Sequence, residues 1–82
     1  MQLSYDPRHN VAYIRLRERG VTDTETLRLS DELNIDLAPD GSVYGIELLN
    51  ANEQLRGGDS GLLVLIDEAA GRRTEVPLPD VA

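Results

Sequence analysis

Eighty-two residues permit one domain with one modest core, and a chain this short buries only about 60% of its unfolded surface. There are three Tyr but no Phe, Trp or Cys, so the core must be aliphatic, and disulfides, thiolate metal sites and Cys nucleophiles are excluded together. Fifteen acids against eight bases, every base an Arg, give a net charge of −7, which disfavours nucleic acid and anionic membranes as partners and favours basic proteins.

Turn chemistry divides the chain at regular intervals. Met1-Gln2-Leu3-Ser4-Tyr5 opens without a basic or long apolar leader, so no secretory signal is read and a cytoplasmic location is expected. A first strand is predicted over 2–5, closed by the turn Asp6-Pro7-Arg8-His9-Asn10. A second follows over 11–17, ended by Arg19-Gly20, and a third over 22–29, ended by Ser30-Asp31. Strands at 33–38 and 43–49 flank the strong turn Pro39-Asp40-Gly41. Asn50 to Leu55 suits one helical turn, and Arg56-Gly57-Gly58-Asp59 reads as a loop.

The last third allows two readings. Leu62-Leu63-Val64-Leu65-Ile66 can be a buried strand, paired through an Asp67–Arg73 loop with Thr74–Leu78. It can also be a helix capped at Ser60 and stopped at Gly71. β-Branched Val64 and Ile66 favour the strand. Such a strand is apolar on both faces and needs cover on both, so a homodimer is expected. At five apolar residues it is far too short to cross a bilayer. Pro77 and Pro79 cannot donate to a ladder, which places the final strand at an edge.

The segments Tyr5-Asp6-Pro7, Ala12-Tyr13-Ile14-Arg15-Leu16, Ile35-Asp36-Leu37, Asp40-Gly41 and Gly45-Ile46-Glu47-Leu48 occur in one order and at even spacing. Together they resemble the bacterial and archaeal family called domain of unknown function 2283, with Asn10 where an Asp is usual and Val11 at the start of the strand. The resemblance covers about residues 3–55. It implies a small antiparallel β-sheet protein with no settled activity, and for some members an antitoxin-like role. It supplies no catalytic residues.

Side-chain alternation places Ala12, Ile14 and Leu16 on one side of the second strand, with Tyr13 and Arg15 on the other. If the aliphatic sets share a core, then Tyr13, Arg15, Asp36 and Glu47 gather on the opposite face. Arg15 is expected to fork Asp36 or Glu47, because a guanidinium suits paired bonds to carboxylates. The cluster reads first as an ion-pair lattice that holds strand register and second as a ligand or metal site. Gly58-Asp59-Ser60-Gly61 spells the serine-protease nucleophile motif, but 82 residues cannot build the cleft, oxyanion hole and buried His–Asp pair it needs. His9 has no neighbouring ligand set. Asp36 to Gly41 lacks the ligand spacing of a calcium loop. No P-loop, dinucleotide fingerprint or zincin motif occurs.

The expected protein is therefore mainly β: a small antiparallel sheet of five to seven strands with at most one short helix. Residues 1–82 form a single domain, with 1–55 as the β core and 56–82 as a C-terminal hairpin extension. It reads as a non-enzymatic interaction module with no cofactor and no metal, homodimeric, and open to a basic protein partner. The alternative is a small-molecule or metal-binding protein that uses the Tyr13, Arg15, Asp36, Glu47 face.

Overall fold

A computed structural model describes residues 1–18, 21–56 and 61–79. Seven strands and one helix appear in the order β1 Gln2–Asp6, β2 Val11–Arg15, β3 Glu25–Arg28, β4 Leu33–Leu37, β5 Val43–Leu49, α1 Ala51–Arg56, β6 Leu62–Asp67 and β7 Arg72–Pro77. The first five form one antiparallel sheet in the order β1-β2-β5-β4-β3, and β6 and β7 form a separate antiparallel hairpin. Strands β2 to β5 thus make a Greek key, with β5 at the centre. The mainly β fold class is as read from the sequence.

Three of the turns are held by an Asp side chain that accepts a backbone N–H two or three residues on. Asp6 Oδ1 accepts the backbone N–H of Arg8 at 3.0 Å and of His9 at 3.2 Å. Asp40 Oδ1 accepts Ser42 N–H at 3.0 Å while Gly41 sits at φ 87°, a conformation open to glycine at no steric cost. In the hairpin, Asp67 Oδ1 accepts Ala70 N–H at 3.1 Å.

Several boundaries differ from the sequence reading. The loop read over Asp67–Arg73 is shorter, because Asp67 pairs with Arg72 and Ile66 with Arg73, so β7 is Arg72–Pro77 and not Thr74–Leu78. β3 is Glu25–Arg28, not 22–29, because Asp23 takes a left-handed φ of 59° and breaks the extended run. β2 ends at Arg15, although Leu16 N–H still bonds Tyr44 O at 2.9 Å. The helical turn read over 50–55 is α1, and the ambiguous stretch is strand β6. The Arg19-Gly20 turn, the Gly57–Asp59 loop, the Ser60 cap and most of the protease-like tetrapeptide lie outside the described residues.

Strand register sets the two faces of the main sheet. One face carries the row Leu3, Ile14, Ile46, Ile35, Leu27 and beside it Tyr5, Ala12, Leu48, Leu33. Helix α1 packs against β2, and Ala12 (2% exposed) and Ala51 (0%) are the sole buried apolar side chains among the described residues. Leu3, Ile14, Ile46 and Ile35 remain half-buried, and Leu27 is exposed. The hairpin packs extensively on no strand of the main sheet, and Leu63, Leu65, Ile66 and Val76 are exposed on it. No described helix is long and apolar enough to cross a membrane.

Candidate functional site

The polar face of the sheet is built in two cross-strand rows. One runs Ser4, Tyr13, Glu47, Asn34, Arg28 and the other Gln2, Arg15, Gly45, Asp36, Thr26. All four side chains singled out from the sequence therefore share one face, but they bond differently from the expectation.

Tyr13 stands on β2 and Asp36 on β4, with β5 between them. Tyr13 Oη nevertheless donates to Asp36 Oδ2 at 2.7 Å. The crossing is possible because Gly45 occupies the intervening position. A Cβ built there would fall well inside van der Waals distance of Tyr13 Oη, Cζ and Cε1. The missing side chain of Gly45 is the channel through which the phenol reaches the next strand. Asp36 Oδ1 accepts a second bond from Thr26 Oγ1 at 2.5 Å. Burial first, and the Asp36 carboxylate second, push the Tyr13 phenol well above the ordinary tyrosine range.

Glu47 accepts Asn34 Nδ2 at 2.9 Å. Arg15 bonds neither carboxylate; its Nη2 donates to Gln2 Oε1 at 2.9 Å. The expected Arg15 fork is corrected by register, since Arg15 stands opposite Gln2 on one side and Gly45 on the other. Two buried polar atoms on this face, Arg15 Nε and Asn34 Oδ1, have no hydrogen-bond partner.

The four residues do not converge on one cavity. One depression, about 390 Å³, is lined by Met1, Arg15, Leu16, Arg17 and Glu18. A second, about 190 Å³, includes Tyr13 with Ser4, Tyr5, Asp6, Val11 and Ala12. Among the described residues, no group of three or more His, Asp or Glu could hold a metal ion. His9 lies on the exposed turn, its Nδ1 2.7 Å from Asp6 Oδ2. That hydrogen bond holds the Asp6 carboxyl below the usual carboxylate range.

A second polar network, which sequence reading missed, ties β1 and the β1–β2 turn to helix α1. Tyr5 Oη donates to Asn52 Oδ1 at 2.5 Å and accepts Arg56 Nε at 3.1 Å, with the guanidinium 5.8 Å from the Tyr5 ring centre. Asn52 Nδ2 donates to Pro7 O at 3.0 Å. Asn10, at φ 59°, offers Oδ1 to Asn52 N–H at 2.7 Å and its carbonyl to Ala51 N–H at 3.1 Å. Helix α1 is thus capped by a residue some forty positions earlier. The available signal was Asn10 itself, a residue tolerant of left-handed backbone with an acceptor side chain. Position 10 needs both properties, which Asn and Asp share.

Tyr5, Asp6, Pro7, Tyr13, Asp36, Asp40, Gly41, Gly45 and Glu47 each have a place in these turn, cap and cross-strand bonds. A family model described as Protein of unknown function (DUF2283) matches residues 2–52, the segment that contains all of them. No curated protein and no solved structure matches the chain.

Proposed function

This chain belongs to the DUF2283 family of proteins of unknown function, and from that premise we propose that it is a non-enzymatic protein-interaction module that works as a homodimer. One observation carries the reading: the single chain leaves its apolar surface open. A compact 9.0 kDa monomer exposes about 4,900 Å², whereas this chain exposes 6060 Å². The excess, about 1,200 Å², exceeds the roughly 800 Å² that each partner hides in a standard interface. The radius of gyration, 14.3 Å, likewise exceeds the roughly 12 Å of a compact chain this long. A second copy supplies the missing cover with the symmetry most oligomers use.

The net charge of −7 adds a second partner class, a basic protein, and the antitoxin-like role is the form this would take. The unpartnered Arg15 Nε and Asn34 Oδ1 favour a second reading, a small polar ligand on the Tyr13, Arg15, Asp36, Glu47 face. Against it stands the placement of Arg15 and Tyr13 in two different depressions, neither of which Asp36 or Glu47 lines. Sedimentation equilibrium tests the leading reading. A dimer is expected at micromolar concentration, and monomer alone at high micromolar concentration overturns it. Co-purification with a tagged copy from the native host then tests for a basic partner.

A further inference from the structure

The β6–β7 hairpin has two outer edges, and they are unequal. Leu78 N–H donates to Gly61 O at 2.8 Å. Antiparallel pairs alternate between bonded and non-bonded, and the register runs Leu62↔Pro77, Leu63↔Val76, Val64↔Glu75. Residues 63, 65 and 67 of β6 therefore turn their backbone groups towards β7, and 62, 64 and 66 turn theirs outward. On β7 the outward positions are 73, 75 and 77. Pro77 has no N–H to offer there, and Pro79 repeats the block two residues on. The outer edge of β7 is closed to a further strand along that stretch. The outer edge of β6 offers every N–H and C=O from Leu62, Val64 and Ile66, on a run with no charge before Asp67.

A two-stranded hairpin alone is at best marginally stable in water; three or more strands with an apolar face are needed. The main sheet does not supply the third strand, because β6 and β7 pair only with each other. We propose that the third strand is β6 of a second copy, which joins two hairpins into one four-stranded antiparallel sheet of order β7-β6-β6-β7. This rests on the homodimer reading and specifies its contact. Antiparallel pairing of a strand with itself generates a twofold axis, the isologous arrangement a C₂ dimer requires. Centring that axis on Val64 sets Leu62 opposite Ile66 and Val64 opposite itself, all in outward-facing positions, and Leu63 opposite Leu65. Asp67 then faces Gly61, so no like charges meet. A shift by two residues in the pairing would oppose Glu68 to Leu62 and Asp67 to Leu63. The Val64-centred register also joins the exposed Leu63, Leu65 and Val76 of both copies into one apolar patch.

The test uses backbone chemistry at two edges of the full-length protein. Val64→Pro deletes an outward N–H of β6 without removing a bond of the hairpin. Glu75→Pro does the same on β7 and controls for the strain of proline in a strand. Val64→Pro is expected to weaken self-association at least about tenfold, and Glu75→Pro to leave it at the parent value. The natural chain has no Cys, so Val64→Cys gives a single-thiol reporter. Directly paired residues at the axis stand about 5.5 Å apart between Cα atoms, within disulfide range, so mild oxidation should yield covalent dimer from Val64→Cys and little from Glu75→Cys. A Val64→Pro protein that dimerises like the parent, or a Val64→Cys protein that fails to cross-link, overturns the edge pairing and leaves the homodimer reading standing. A monomeric parent protein overturns both.

Discussion

At the scale of single residues, the polar face turns on Gly45. Its lost side chain gives the Tyr13 phenol passage over β5 to Asp36. Gly45→Ala should therefore destabilise the protein by about 1–3 kcal/mol, as the ring is displaced and its bond to Asp36 broken. In a Tyr13→Ala background the same substitution should be neutral or stabilising by up to about 1 kcal/mol, since alanine suits a strand better than glycine. Urea denaturation of the two single variants and the double variant measures the coupling. Equal effects of Gly45→Ala in both backgrounds would show that the ring is not what the glycine accommodates.

The same phenol gives a pH signature. Because its folded pKa is raised, the neutral form favours the folded state. That contribution is complete below the ordinary tyrosine value near pH 10 and is lost as pH rises through the folded value. Ring resonances of Tyr13 should keep their neutral positions at a pH where free tyrosine is half ionised. Asp36→Asn should bring the transition down by removing the adjacent negative charge. A Tyr13 that titrates as free tyrosine would count against this account.

At the scale of elements, alternation made most strands legible. The segments 2–5, 11–17, 33–38 and 43–49 each overlap an observed strand, with ends that differ by up to two residues, and the helical turn after β5 was readable from Asn50 onward. The shared face of Tyr13, Arg15, Asp36 and Glu47 was legible for the same reason, because side-chain direction follows from parity alone. Which of them touch was not. Contact depends on register and on which intervening residue is small, and neither is a local property of β2. The helix cap was hidden too, because it comes from the β1–β2 turn. Asn10→Ala should cost about 1–3 kcal/mol, through the lost cap and the left-handed backbone. Asn10→Asp should recover most of the loss, since it keeps the acceptor for Asn52 N–H and tolerates the same φ. Thermal unfolding of the two variants decides it; equal losses would assign the effect to the Nδ2 bond with Asn50, 3.2 Å long, which only Asn can make.

At the scale of the whole molecule, the single chain has two apolar surfaces and little interior. The aliphatic composition anticipated a small core, but not that two alanines would be the only buried apolar side chains among the described residues. Stability should therefore depend on protein concentration. Each tenfold dilution through the dissociation range should lower Tm measurably, by a few degrees for a domain of this size. A Tm unchanged from millimolar to submicromolar concentration would mean that one chain is stable with its aliphatic rows wet.

The placement of Asn10 over α1 also bears on the order in which the chain becomes structured. A six-residue helix cannot persist alone, since nucleation costs more than so few backbone bonds return. Its first amides are held by Asn10, and Asn10 reaches them only once β2 lies beside β5. The β1–β2, β3–β4 and β4–β5 hairpins close short loops, whereas the β2–β5 pairing closes a long one and is the slower event. Helix α1 is then a late element that locks the finished Greek key. In native-state hydrogen exchange the Asn52 amide should open together with the β2–β5 ladder, at the same free energy, and not fray with the end of a short helix.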